Sequence, residues 1–393
     1  MRVALVTAAY GDPWIEEQFI WRRVAAAIAS YADVDVLVAG GCQRSEGVDG
    51  ALRVLHFPSR VLDVRRRHAV LFAATGARRP DAVDYCACTR ALTVDAVASL
   101  PQTLQDELAR SEEGNSPALY AHLETERYDA IVLCGLQLAS TAFGIARLPA
   151  SARVVLLPVL AREPLIWLPP HQAALTRAER IIVSTKDEEL RVRRLVSVGD
   201  PGRIVRVAVP IRVDVSSAMT EPLDFDGAHQ LVVAGVESVD LTDIARQAIY
   251  LSQRIKRLTV SVVARDGRSV SSSSGIEVRS AVSRSDLWRW MVRAFAVLDA
   301  GPPRPLAREV LEAMLCGVPA IVRDQTGAAR EHAEQGNGGL WYRTDLELLA
   351  CTARLFEDTA VRQRLGEQGR EYATHQHGDP TSFVEQVKEA VLG

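Results

Sequence analysis

Short apolar runs rich in Val and Ile alternate along the chain with longer stretches whose apolar positions recur at helical spacing. The runs are Val3–Ala8, Val34–Ala39, Val54–Phe57, Ala130–Cys134, Val154–Pro158, Ile181–Ser184 and Ile204–Val209. Strands of this kind, alternating with helices, predict a parallel sheet covered on both faces. A polar stretch of low periodicity around Val213–Gly227 interrupts the pattern. It then resumes with Leu231–Gly235, Leu258–Ala264, Ile276–Arg279, Ala296–Ala300, Pro319–Val322 and Gly339–Tyr342. Two successive halves predict two doubly wound α/β domains facing each other, with ligands in the cleft beyond the carboxyl ends of the strands. Thr75–Tyr128 is the least regular part, with a helix predicted over Leu104–Arg110. In the tail Pro380–Leu392, the spacing of Phe383, Val384, Val387, Val391 and Leu392 predicts a closing helix.

The length of 393 residues also favours two domains. With 48% hydrophobic and 24% charged residues, and Lys+Arg 46 against Asp+Glu 49, disordered, collagen-like and nucleic-acid-coating classes fit poorly. No nucleic-acid partner is expected, and partners must be read from sites. The apolar start Met1–Val6 is broken too soon by Tyr10-Gly11-Asp12-Pro13 for a signal peptide, and no apolar run reaches about 18 residues. A soluble, cytoplasmic protein without a transmembrane segment is expected, with peripheral membrane contact left open. Cys42, Cys86, Cys88, Cys134, Cys316 and Cys351 are too sparse for a disulfide scaffold and read as reduced thiols. Cys86-x-Cys88 lacks a second pair at zinc spacing, so no metal site is expected.

The most informative segment is Arg304–Leu340. A strand ends in Gly301-Pro302-Pro303, a helix carries Glu309, Glu312 and Met314, Cys316-Gly317 caps it, and Val318–Val322 is the next strand. A helix amino terminus of such a βαβ unit presents backbone N–H groups and partial positive charge, a ready site for a diphosphate. Arg304 and Arg308 would add charge-assisted contacts.

These residues resemble the retaining nucleotide-sugar glycosyltransferases of the GT-B fold, particularly family 4. Glu312-Ala313-Met314-x-x-Gly317-Val318-Pro319 is similar to the family hallmark, and Gly327-Ala328-Ala329-Arg330-Glu331 with Gly336 and Gly339-Leu340 to its next motif. Leu355-Phe356-Glu357-Asp358, Arg362, Leu365-Gly366, Gly369-Arg370 and Ala373 resemble its carboxyl-terminal helical signature. The resemblance implies two Rossmann-like domains facing a central cleft: residues 1–215 for the acceptor, 216–378 for the nucleotide-sugar donor, and 379–393 as a closing helix. It implies transfer, independent of metal and cofactor, from a nucleoside diphosphate sugar to a sugar or glycoconjugate acceptor. Glu312 would accept hydrogen bonds from the donor ribose. Leu306 and Arg308 would face the sugar and diphosphate, Ser280 the base, and Thr326 and Gly327 the same pocket, although a tight turn also explains Gly327. Gly11, after the first strand, is similar in place to glycines that let backbone approach phosphates.

Three departures fall on the chemistry. Arg304 stands where the family pattern has a second glutamate, Val236-Glu237-Ser238-Val239-Asp240-Leu241 lacks its Arg and Lys, and Leu160-Ala161-Arg162-Glu163-Pro164 keeps an acid but no His. Arg304 and Glu163 are therefore the catalytic candidates, with Arg162 and Arg308 as further compensating cations. Two readings stay open: an active transferase, in which Arg304 meets an unusual or acidic donor sugar, and a catalytically silent protein of this fold serving as a binding or assembly subunit.

Overall fold

The computed structural model describes residues 1–60, 99–110, 113–160, 164–195, 201–220, 229–236, 241–264, 276–280, 283–301, 303–325 and 327–393. It divides into two compact units, Met1–Val207 with Thr381–Gly393, and Ala208–Pro380.

The first unit is built on β1 (Arg2–Thr7), β2 (Asp33–Val38), β3 (Ser45–Asp49), β4 (Leu52–His56), β5 (Ala130–Cys134), β6 (Val154–Leu157), β7 (Arg180–Val183) and β8 (Ile204–Arg206). They form one 8-stranded sheet in the order β3-β4-β2-β1-β5-β6-β7-β8. Every pairing is parallel except that of β3 with β4. The central strands are buried along nearly their whole length, as apolar runs in a two-sided sheet must be. The edge strand β3 carries no apolar run: its one apolar side chain, Val48, faces solvent, and Gly50 at φ +63° turns the chain into β4. The Pro380–Leu392 helix buries Phe383, Val387, Ala390 and Val391, and Arg153 Nη1 donates to the Leu392 carbonyl at 3.0 Å. Among the described residues no helix is long and apolar enough to cross a membrane.

The second unit contains β9 (Gln230–Val236), β10 (Thr259–Ala264), β11 (Ile276–Ser280), β12 (Ala296–Asp299), β13 (Ala320–Arg323) and β14 (Gly339–Tyr342). Their order is β11-β10-β9-β12-β13-β14, with every pairing parallel. The chain winds outward from β9 to β11 and then returns to the other side of β9 as β12. The carboxyl ends of β9 and β12 therefore frame the topological switch point, where parallel sheets open a crevice. The loop after β12 and the Arg308–Leu315 helix lie there by connectivity.

The Thr359–His377 helix packs on the Arg308–Leu315 helix through glycines. A Cβ on Gly338 would sit 2.6 Å from the Gly369 Cα, and one on Gly369 would meet Met314 Cγ at 3.0 Å. At Gly366 a Cβ would collide with the Gly317 carbonyl oxygen, while Arg370 Nη2 donates to the Cys316 carbonyl at 2.8 Å. Gly317 itself closes the shorter helix at φ +73°, with Gly317 N–H bonded to the Met314 carbonyl and Val318 N–H to that of Ala313, a Schellman stop. Gly366→Ala is therefore expected to destabilise the protein by about 1–3 kcal/mol through overpacking. The gain of about 1 kcal/mol that alanine brings to a helix interior will not offset it. Thermal unfolding should show a melting point lowered by several degrees.

Candidate functional site

The Arg308–Leu315 helix opens without a side-chain cap. The residue at its cap position, Ala307, is buried in the left-handed region at φ 50° and ψ 52°. A residue with a Cβ pays about 1–2 kcal/mol for that conformation, so the surrounding contacts must hold it. On one side, Leu306 is buried and its carbonyl oxygen lies 3.0 Å from His332 Nε2. On the other, charged side chains converge.

Six of them form an alternating chain. Arg308 Nε donates to Glu312 Oε1 at 2.9 Å, Arg284 Nη2 donates to Glu312 Oε2, and Arg284 Nη1 donates to Glu309 Oε1 at 2.9 Å. Arg304 Nη1 donates to Glu309 Oε2 at 2.5 Å and Arg304 Nη2 to Asp299 Oδ2 at 2.8 Å. Local structure positions each member. Arg308 and Glu312 stand one helical turn apart, Glu309 and Glu312 share a face, and Asp299 ends β12. Arg284 begins the Arg284–Met291 helix, which is fixed by a capping box between Ser283 and Asp286. Three cations and three anions leave the set neutral. The Glu312 side chain has 0% of its surface exposed and Arg304 has 18%, so Arg304 is the most open member of a chain whose two ends, Arg308 and Asp299, are both buried. Burial alone would raise the Glu309 pKa, but the Arg304, Arg284 and Arg308 guanidiniums hold it well below the usual carboxylate range. Burial opposes the Arg284 charge, and Glu312 and Glu309 overcome it to raise the Arg284 pKa.

Arg304, Leu306, Arg308 and Glu312 are thus brought together. Both Glu312 oxygens are engaged by guanidinium groups, and the Leu306 side chain is buried. Gly327, which a tight turn would explain, is instead extended at the cap of the Ala328–Gln335 helix; a Cβ there would meet Pro303 Cβ at 3.1 Å. Ser280 ends β11, two strands from the switch point. Gly11 belongs to the first unit, at φ +102°, in the left-handed region that glycine favours. Glu163, Arg162, Thr326 and the Cys86-x-Cys88 pair lie outside the described residues. Among those described, no group of His, Cys, Asp or Glu could hold a metal ion.

A second strained turn follows β6 in the first unit. Val159 is left-handed at φ 47°, rare for a β-branched residue, and the backbone N–H and C=O of the next residue are both held by one helix. Leu160 N–H donates to Glu188 Oε1 at 3.2 Å, and Arg191 Nη1 donates to the Leu160 carbonyl at 3.2 Å. Glu188 also accepts from Ser184 N–H at 2.8 Å; burial raises its pKa.

No family model matches the sequence, and no curated protein does. Solved structures do match. Sucrose-phosphate synthase from Thermosynechococcus elongatus shares 14% identity at a TM-score of 0.67, covering 99% of this chain and 98% of its own. WaaG, a glycosyltransferase involved in lipopolysaccharide biosynthesis, shares 14% identity at 0.63, covering 99% and 100%. HepE from Anabaena, solved with UDP and glucose, shares 14% at 0.59, covering 99% and 98%. The chain has the GT-B fold of these proteins.

Glu312→Gln should destabilise the second unit by about 3–5 kcal/mol, because it leaves two buried guanidiniums facing a neutral amide; urea unfolding measures it. The buried histidines set an acid response. Burial first, and then His377, lower the His332 pKa from 6.5 to about 3, and burial lowers that of His377. The unfolded chain then binds protons that the folded one refuses. Stability should be full above pH 6.5 and fall as the pH drops from there toward 3, with a shallower slope in His332→Gln. Unfolding at pH 7 and pH 5 gives that slope.

Proposed function

We propose that this protein is a glycosyltransferase of the family 4 type, transferring a sugar from a nucleoside diphosphate donor to a sugar or glycoconjugate acceptor with retention of configuration. The observation that carries the reading is the Asp299–Glu312 segment. At the switch point of the second unit, a helix amino terminus with no side-chain cap stands beside Arg304, the most open member of a buried ion-pair chain. The WaaG likeness and the UDP and glucose held by HepE support the donor class. Unpaired thiols at Cys42, Cys134, Cys316 and Cys351 support a cytoplasmic setting.

In this reading the bond from the anomeric carbon to the diphosphate breaks as the acceptor hydroxyl oxygen bonds to that carbon, and the hydroxyl proton passes to the departing diphosphate oxygen. The departing diphosphate takes the negative charge, so positive potential there is the first requirement. The ion-pair chain is neutral as a whole and supplies none at a distance. The helix amino terminus supplies part of it, and Arg304 the rest by turning one guanidinium edge from Asp299 to the diphosphate. For Glu312 to receive the ribose hydroxyls, Arg284 must release one oxygen; Arg284 keeps Glu309 as its partner throughout that exchange.

The test is thermal stabilisation by UDP, GDP, ADP and TDP. One of them at about 100 times its Kd should add about 2.7 kcal/mol, a melting shift of roughly 5–10 °C. Arg304→Gln, confirmed folded by circular dichroism, should bind that nucleotide about ten- to a hundredfold more weakly by calorimetry, the loss of one or two charge-assisted hydrogen bonds. Absence of any shift at millimolar nucleotide would reject the transferase reading.

A further inference from the structure

We propose that His332 is a positioning residue for the diphosphate end of the donor site: by holding the Leu306 carbonyl, it maintains the left-handed turn at Ala307 that aims Arg304 and the first amides of the Arg308–Leu315 helix. This rests on the transferase reading of that helix end.

The hydrogen-bond partners fix the tautomer. The Leu306 carbonyl can only accept, so His332 Nε2, 3.0 Å away, carries the proton and donates. His332 Nδ1 then has a lone pair, which accepts the hydroxyl hydrogen of Tyr372 at 3.0 Å. His332 is buried, and His377 stands edge-on to it at 5.3 Å between ring centres, its own Nδ1 donating to the Val209 carbonyl at 3.0 Å. Each ring is thereby locked, and neither can rotate without losing its backbone partner.

The position of Tyr372 gives the relay its purpose. It belongs to the Thr359–His377 helix, which also holds the far end of the Arg308–Leu315 helix through Arg370 on the Cys316 carbonyl and Gly366 against Gly317. One long helix therefore clamps the short one at both ends: directly at its carboxyl end, and through His332 at the amino end where the turn is strained. Removing the imidazole donor takes away the hydrogen bond that holds the Leu306 carbonyl beside the strained turn, and Ala307 then relaxes from φ 50° toward a region that alanine prefers. That rotation turns the amides of residues 308 and 309 away from a bound diphosphate.

Three variants test this: His332→Leu, which removes the donor; His332→Gln, whose side-chain amide can donate to Leu306 in its place; and Gly366→Ala, which weakens the same helix packing without touching the turn. Affinity for whichever of UDP, GDP, ADP and TDP binds the unaltered protein is measured by calorimetry at a temperature where all are folded. Native-state hydrogen exchange is followed at residues 306–310. His332→Leu should bind at least tenfold more weakly and exchange faster at those amides, while His332→Gln stays within about threefold and Gly366→Ala binds unchanged. Unchanged affinity and exchange in His332→Leu, an equal loss in His332→Gln, or an equal loss in Gly366→Ala overturns the proposal. If the unaltered protein binds no nucleotide, the transferase reading fails. Exchange that is faster in His332→Leu but not in His332→Gln would still establish the hold on the turn, and exchange unchanged in both would remove it.

Discussion

The second unit is organised around a row of charges that cannot be left incomplete. Arg308, Glu312, Arg284, Glu309, Arg304 and Asp299 alternate in sign, and five of the six are buried. Taking such ions out of water costs several kcal/mol each, and mutual attraction in a low dielectric offsets that cost only when every partner is present. The row ties the end of β12, the start of the Arg284–Met291 helix and one face of the Arg308–Leu315 helix into a single arrangement. The loop that carries Arg304 is thereby set before any ligand arrives.

Both units place a strained turn at the carboxyl end of a parallel strand, and each is restrained by side chains from a helix further along the chain. After β6, Glu188 and Arg191 grip the Leu160 peptide beside left-handed Val159. After β12, His332 grips the Leu306 carbonyl beside left-handed Ala307. Glycine would adopt either conformation without cost. With a Cβ present, each turn is strained, and strain of this kind persists only where neighbouring groups over-determine the backbone.

The alternating strands and helices were legible because buried parallel strands must be apolar on both faces, and the runs at Val3–Ala8, Ala130–Cys134 and Ala296–Ala300 have no other use. The β3 edge strand was invisible for the same reason: it buries nothing. The run Ile204–Val209 reads as one strand, but β8 stops at Arg206, and the buried Val209 gives its carbonyl to His377. A hydrophobic pattern reports burial, not which element does the burying. At the site, the helix stop at Cys316-Gly317 and the Arg308–Glu312 spacing are local and could be read. Arg284 could not, because its partners lie some 25 residues on, and neither could His332, whose single imidazole carries no spacing. The cap of the helix that carries Arg284 is local in the same way as that helix stop, since Ser283 and Asp286 are reciprocal partners three residues apart.

The alternating row also constrains how this sequence can change over generations. Glutamate in place of Arg304 would set a third carboxylate against Asp299 and Glu309 with no cation between them. Arg284 would then be the only guanidinium left on Glu309. The cation at position 304 is thus entrenched: its neighbours depend on it, and a single change of sign there is disruptive. Sequence drift here must proceed by paired exchanges of opposite sign, so descendants of this chain should keep the row or lose it as a block.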